Sequence, residues 1–263
     1  PRRPATGRAP GRVLPARLGA GARWPRPPPR APVGGAAGLW EPGVPGRIGT
    51  VKLLLVRHAR TMANVMGALD TAFPGQPLDA TGLAQAGTLP ERLERAGHLE
   101  GLGGLWTSPI LRARQTVAPV EQATGLSAVV DSGLREVLAG DLEMATDERS
   151  VACYRDTTRS WMAGRTACRL PGSPEDGVST LARFDAVVER IAAVTAERGK
   201  AAGLLVAHGT VLRLWTALRA APGGGADPLW VAEHPMSNAG VTVVHRDRAG
   251  WRLVDWNEGD WRA

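Results

Sequence analysis

A change of hydrophobic period constrains this chain more than any other feature. From Val51 onward, short continuous apolar runs alternate with longer stretches in which apolar residues recur every three or four positions. The first kind reads as buried strand and the second as amphipathic helix, so the alternation predicts an α/β domain. Strands are expected over Lys52 to Arg57 (KLLLVR), Leu102 to Thr107, Ser127 to Asp131 and Gly203 to Ala207 (GLLVA). Gly240 to His245 and Trp251 to Asp255 flank a polar, Gly-containing turn and read as a hairpin or adjacent edge strands. Helices fill the gaps. One starts with Thr81 as its N-cap and runs through Leu83, Ala86, Leu89 and Leu93. Another follows Pro109 and carries Arg112 and Arg114; others span Val151 to Met162 and Thr180 to Arg198, and a fifth opens after Gly209. No internal repeat interrupts residues 51–263, which read as one domain.

Residues 1–50 belong to a different class of sequence. Pro, Arg, Gly and Ala dominate them, with three consecutive prolines at 27–29, and such a segment buries too little apolar surface to offset its chain entropy. Disorder is expected. The segment lacks serine and is too rich in proline for the amphipathic helix of a transit peptide. The abrupt start of the first strand makes Val51 a candidate for internal initiation at a GTG codon, with residues 1–50 then an extension from a mis-assigned start. The same segment explains the charge. The chain carries +7 overall, but nine arginines against Glu41 give residues 1–50 a net +8, which leaves −1 for the rest. A nucleic-acid partner is therefore not expected for the folded part. Two cysteines, Cys153 and Cys168, without histidines at ligand spacing, argue against both a disulfide scaffold and a metal site. No apolar stretch reaches the ~20 residues of a membrane span, and no signal peptide is evident. A cytoplasmic location follows, and a homodimer is compatible with the sequence.

Chemistry concentrates where strands end. His58 and His208 stand directly after KLLLVR and GLLVA, and ligand sites of open parallel sheets gather at the carboxyl ends of strands. Arg57 abuts His58, and Arg112 lies in the first turn after the strand ending near Thr107. Guanidinium groups fit phosphate oxygens as planar forks and stay charged at any relevant pH, so a phosphate is the natural ligand. His98, His234 and His245 read as structural or surface residues, and the tryptophans, Trp161, Trp215 and Trp230 among them, mostly as core.

Four blocks in order resemble a known family. Leu55-Val56-Arg57-His58-Ala59-Arg60-Thr61-Met62-Ala63-Asn64 is similar to the Arg-His-Gly…Thr…Asn signature of the histidine phosphatase superfamily, the phosphoglycerate-mutase-like proteins. Ser108 to Thr116 resembles its Ser-x-x-x-Arg-Ala-x-x-Thr block. Leu134-Arg135-Glu136 with Gly140-Asp141 resembles the block that supplies an acid, and Val206-Ala207-His208-Gly209 with Arg213 resembles the second histidine block. Ala59 replaces a usual glycine, and Leu142-Glu143-Met144 replaces a usual Trp-Glu-Gly.

The resemblance implies a three-layer α/β/α fold with a mostly parallel central sheet and a cofactor-free, metal-independent phosphomonoesterase of the phosphatase branch. Its substrate would be a small phosphorylated metabolite. His58 would attack phosphorus and form a phosphohistidine, with Arg57, Arg112, His208 and Asn64 around the phosphate and Arg60 and Thr61 as further substrate contacts. Glu136 would protonate the leaving alcohol, with Glu143 and Asp141 as neighbouring substitutes. A mutase-type phosphoryl transfer and a catalytically silent phospholigand-binding protein are the alternatives. Specificity is expected in Met66 to Pro77 and Leu142 to Ser173, which carry no readable motif.

Overall fold

The computed structural model describes residues 50–259, so the expectations for the N-terminal extension lie outside the described residues. Strand β1 (Val51–Arg57) leads through the short helix α1 (Met62–Met66) to α2 (Ala80–Arg95), then β2 (Leu102–Thr107), α3 (Leu111–Thr124) and β3 (Ala128–Val130). Two short 3-10 turns precede α4 (Glu148–Met162) and α5 (Gly177–Glu197). Strand β4 (Ala202–Ala207) runs into α6 (Gly209–Trp215), which continues through a π-helical turn into α7 (Ala221–Gly224). Helix α8 (Pro228–Glu233) and the hairpin β5 (Val241–Asp247) and β6 (Gly250–Asp255) follow.

The six strands form one sheet in the order β3-β2-β4-β1-β5-β6. The first four are parallel, and β5 and β6 are antiparallel to their neighbours. Alternation along β1 explains the layers. Leu53 and Leu55 join the cluster that contains Phe184, Ile191 and Trp215 of α5 and α6, whereas Leu54 and Val56 join Leu89, Leu93 and Val117 of α2 and α3. Both faces are covered, which is why the central strands are apolar at nearly every position. Trp161 and Trp215 are fully buried core residues, as expected.

Helix starts fall earlier than the apolar period suggested, because aspartates cap them. Asp79, not Thr81, caps α2, its carboxylate accepting from Gly82 N at 2.7 Å. Asp147 and Asp176 do the same for α4 and α5, at 3.0 and 2.9 Å. A carboxylate is both an N–H acceptor and a negative charge at the positive end of the helix dipole. Among the described residues no helix is long and apolar enough to cross a membrane.

Candidate phosphate-binding site

Strand register brings the two histidines together. In the parallel β1–β4 pair Arg57 lies opposite Ala207, so the next residues, His58 and His208, leave the sheet side by side. Their ring centroids are 5.2 Å apart. Both rings are buried, and burial, reinforced by the positive charge of Arg112, holds each imidazole well below the usual histidine range. The Nδ1 of His58 lies 2.8 Å from Ala59 O. A carbonyl only accepts, so Nδ1 carries the proton and Nε2 keeps its lone pair. Arg112 Nε donates to that Nε2 at 3.1 Å. His208 Nε2 meets Ser108 Oγ at 2.8 Å, while its buried Nδ1 has no partner among the described residues.

A cleft of about 200 Å³ opens over His58. Arg57, Thr61, Asn64, Asp70, Arg112, Glu136 and Arg213 help to line it. Arg57 is anchored through Nη1 to Met236 O, and its buried Nε has no partner among the described residues. Helix α6 starts beside it at Gly209, where a Cβ would come within 3.1 Å of that Nε. Asn64 and Thr61 cap α1 reciprocally, Thr61 N donating to Asn64 Oδ1 at 3.1 Å and Asn64 N to Thr61 Oγ1 at 3.3 Å. Arg60 is placed elsewhere. Its guanidinium leaves the cleft for Asp79 at 2.9 Å and Thr81 at 2.6 Å, the very residues that begin α2.

Glu136 enters from the segment after β3. Its carboxylate accepts from Thr210 N and Val211 N at 2.9 and 2.8 Å, in the first turn of α6, and from its own neighbour Val137 N at 2.9 Å. Glu143 is spoken for: it accepts from Thr71 N and Ala72 N at 2.8 and 2.9 Å and from the Thr71 hydroxyl. The segments without motifs also reach the cleft, supplying Asp70, Thr71 and Tyr154. Asp70 forms a buried ion pair with Arg112, 3.1 Å from Nη1. Sequence reasoning missed it, since an isolated acid in a loop carries no periodic or spacing signal.

The departures from the family pattern are accommodated unequally. Ala59 keeps φ out of the left-handed region, so its Cβ is tolerated, whereas Met144 sits at φ 60°, where glycine is favoured.

The end of β1 and the first turn of α3 bring His58, Arg57 and Arg112 to one cleft at the carboxyl edge of the sheet, with the fully buried His208 ring 5.2 Å from that of His58, an arrangement that suits the class of oxyanion-binding α/β proteins. The family model of the histidine phosphatase superfamily (branch 1) matches residues 53–259, and the chain belongs to that superfamily. Glucosyl-3-phosphoglycerate phosphatase of Mycobacterium tuberculosis (strain ATCC 25618 / H37Rv) is 30% identical over 224 residues, which cover 78% of this chain and 94% of that protein. PE-PGRS family protein PE_PGRS11 of the same strain is 28% identical over 213 residues, 77% of this chain but 35% of that protein, so the chain spans about a third of this relative. The structure of mycobacterial glucosyl-3-phosphoglycerate phosphatase in complex with VO3 superimposes with a TM-score of 0.62 at 25% identity, covering 79% of this chain and 98% of that one.

Proposed function

We propose that this chain is a metal-independent phosphomonoesterase of small phosphorylated metabolites that works through a phosphohistidine on His58. One observation carries the reading: a buried imidazole kept neutral, its Nδ1 proton tied to Ala59 O and its Nε2 lone pair facing a cleft lined by Arg57, Arg112 and Arg213. When a phosphate ester binds, the Arg112 Nε–H turns from His58 Nε2 to a phosphoryl oxygen, and Arg57, Asn64 and His208 share the remaining charge. The freed lone pair attacks phosphorus in line. The P–N bond forms, the P–O bond to the leaving group breaks, and Glu136 delivers a proton to the departing alkoxide. The same carboxylate then takes a proton from the water that attacks the phosphohistidine, releasing inorganic phosphate and restoring neutral His58. Relatives that carry the phosphatase name over nearly their whole length support hydrolysis.

Release of phosphate from p-nitrophenyl phosphate in EDTA tests this directly. Wild type turns over, and His58→Ala loses about 10⁴-fold or more. Turnover that persists in the mutant contradicts the nucleophile. Transfer to a second substrate hydroxyl in place of water would make the protein a mutase, and phosphate binding without turnover would make it a sensor.

A further inference from the structure

The cleft holds a carboxylate of its own. Each nitrogen of the Arg112 guanidinium already has a partner: Nε meets His58 Nε2, Nη1 meets Asp70 Oδ2 at 3.1 Å and Nη2 meets Asp70 O at 2.8 Å. Asp70 therefore stands one guanidinium width from the nucleophile, buried, and lines the same cleft.

Asp70 cannot readily withdraw. Gln76 N donates to its Oδ2 at 2.9 Å, and its own N–H is tied to Ala68 O at 3.0 Å. The residues on either side are pinned to the facing segment: Leu69 exchanges both backbone hydrogen bonds with Met144 and Ala145, and Glu143 clamps Thr71 and Ala72. Gly75 wraps the guanidinium so closely that a Cβ there would lie 2.5 Å from Arg112 Nη1. A phosphoryl group that reaches His58 thus shares Arg112 with a fixed negative charge.

We propose that Asp70 is a built-in counter-anion of the phosphate pocket, which competes with bound phosphate for Arg112 and so weakens the hold on the inorganic phosphate product. This rests on the phosphatase reading above. It makes Asp70 a determinant of product inhibition and not merely a support for Arg112, and the two roles differ in sign. A support, once removed, leaves phosphate binding weaker; a competing charge, once removed, leaves it tighter.

The test is calorimetric titration of the full chain with inorganic phosphate, paired with its inhibition of p-nitrophenyl phosphate hydrolysis. Asp70→Asn keeps an acceptor for Arg112 and removes the charge; Asp70→Ala checks that the effect follows charge. We expect both dissociation and inhibition constants to fall about tenfold in each variant, with kcat falling as product release slows. Constants that stay level or rise overturn the proposal. A crystal structure of wild type with bound phosphate gives a second reading that needs no variant: the anion must lie over His58 against Arg112 while Asp70 keeps its side-chain contact to Nη1, and an Asp70 side chain swung clear of Arg112 contradicts the fixed charge. Phosphate found elsewhere in the fold contradicts the competition. Failure here is separable from failure of the phosphatase reading, which His58→Ala decides on turnover alone.

Discussion

The proposed nucleophile, His58, has to be neutral, and its surroundings favour that form. Burial comes first, then the charges of Arg112 and Arg57, all depressing the imidazole pKa against the opposing pull of the Ala59 carbonyl. Protonation would remove the Nε2 lone pair, so a lowered pKa means that the reactive form persists to more acid pH. The acid limb of kcat/KM for wild type therefore lies below the ~6.5 of an ordinary histidine. A limb at or above that value in the pH profile would show that His58 is not held neutral. A second expectation concerns Met144. Its left-handed backbone costs about 1–2 kcal/mol for a residue with a Cβ, offset in part by the ~0.5–1 kcal/mol of chain entropy that glycine loses on folding. Half-exposed, it has little packing to lose, so Met144→Gly leaves the melting temperature level or higher; a clear drop in a thermal melt would contradict this.

Elements explain how the acid is held. Glu136 is gripped at two ends: α6 binds its carboxylate through two N–H groups, and α5 binds its backbone. Arg183 of α5 donates to Gly133 O, Arg135 O and Glu136 O at 2.8, 2.8 and 2.9 Å, and pairs with Glu175 at 3.1 Å. Gly133 fits only because its missing Cβ would strike Val187 of the same helix at 2.3 Å. If Glu136 is the proton donor, losing the Arg183 grip matters most where the leaving group needs a proton. Arg183→Gln should lower kcat/KM about 10–100-fold for an alkyl phosphate and only a few-fold for p-nitrophenyl phosphate, with Glu136→Gln showing the same asymmetry more strongly. Equal losses on both substrates would mean a general weakening of the fold. The central strands were legible, because β1 and β4 are buried on both faces and had to be continuous apolar runs. Helix starts were less so. The apolar period marks where a helix packs, while its first turn is set by a capping aspartate that need not touch the core. Helices α1, α7 and α8, of five, four and six residues, are too short to show a period at all.

Across the whole molecule, the site is assembled from segments far apart in sequence, and legibility followed how each was placed. Residues on strand ends, His58 and His208, were readable because a strand's terminus fixes a side chain's location in an open sheet. Arg60 was not: adjacency to the nucleophile in sequence is no guide to direction when the chain is turning into α1, and Asp79 draws the guanidinium away. Asp70 was invisible because its partner, Arg112, lies 42 residues on and meets it only through tertiary packing. The proposed reaction turns on one covalent bond, from phosphorus to His58 Nε2. Rapid quench of wild type with a ³²P-labelled phosphate ester, under conditions that preserve acid-labile phosphoramidates, followed by peptide mapping, tests it most directly. The prediction is label on the peptide containing His58, absent in His58→Ala and, with an aryl ester whose leaving group needs no proton, accumulating when water attack is slowed by Glu136→Gln. Turnover without labelled His58, or label on another residue, would contradict the account.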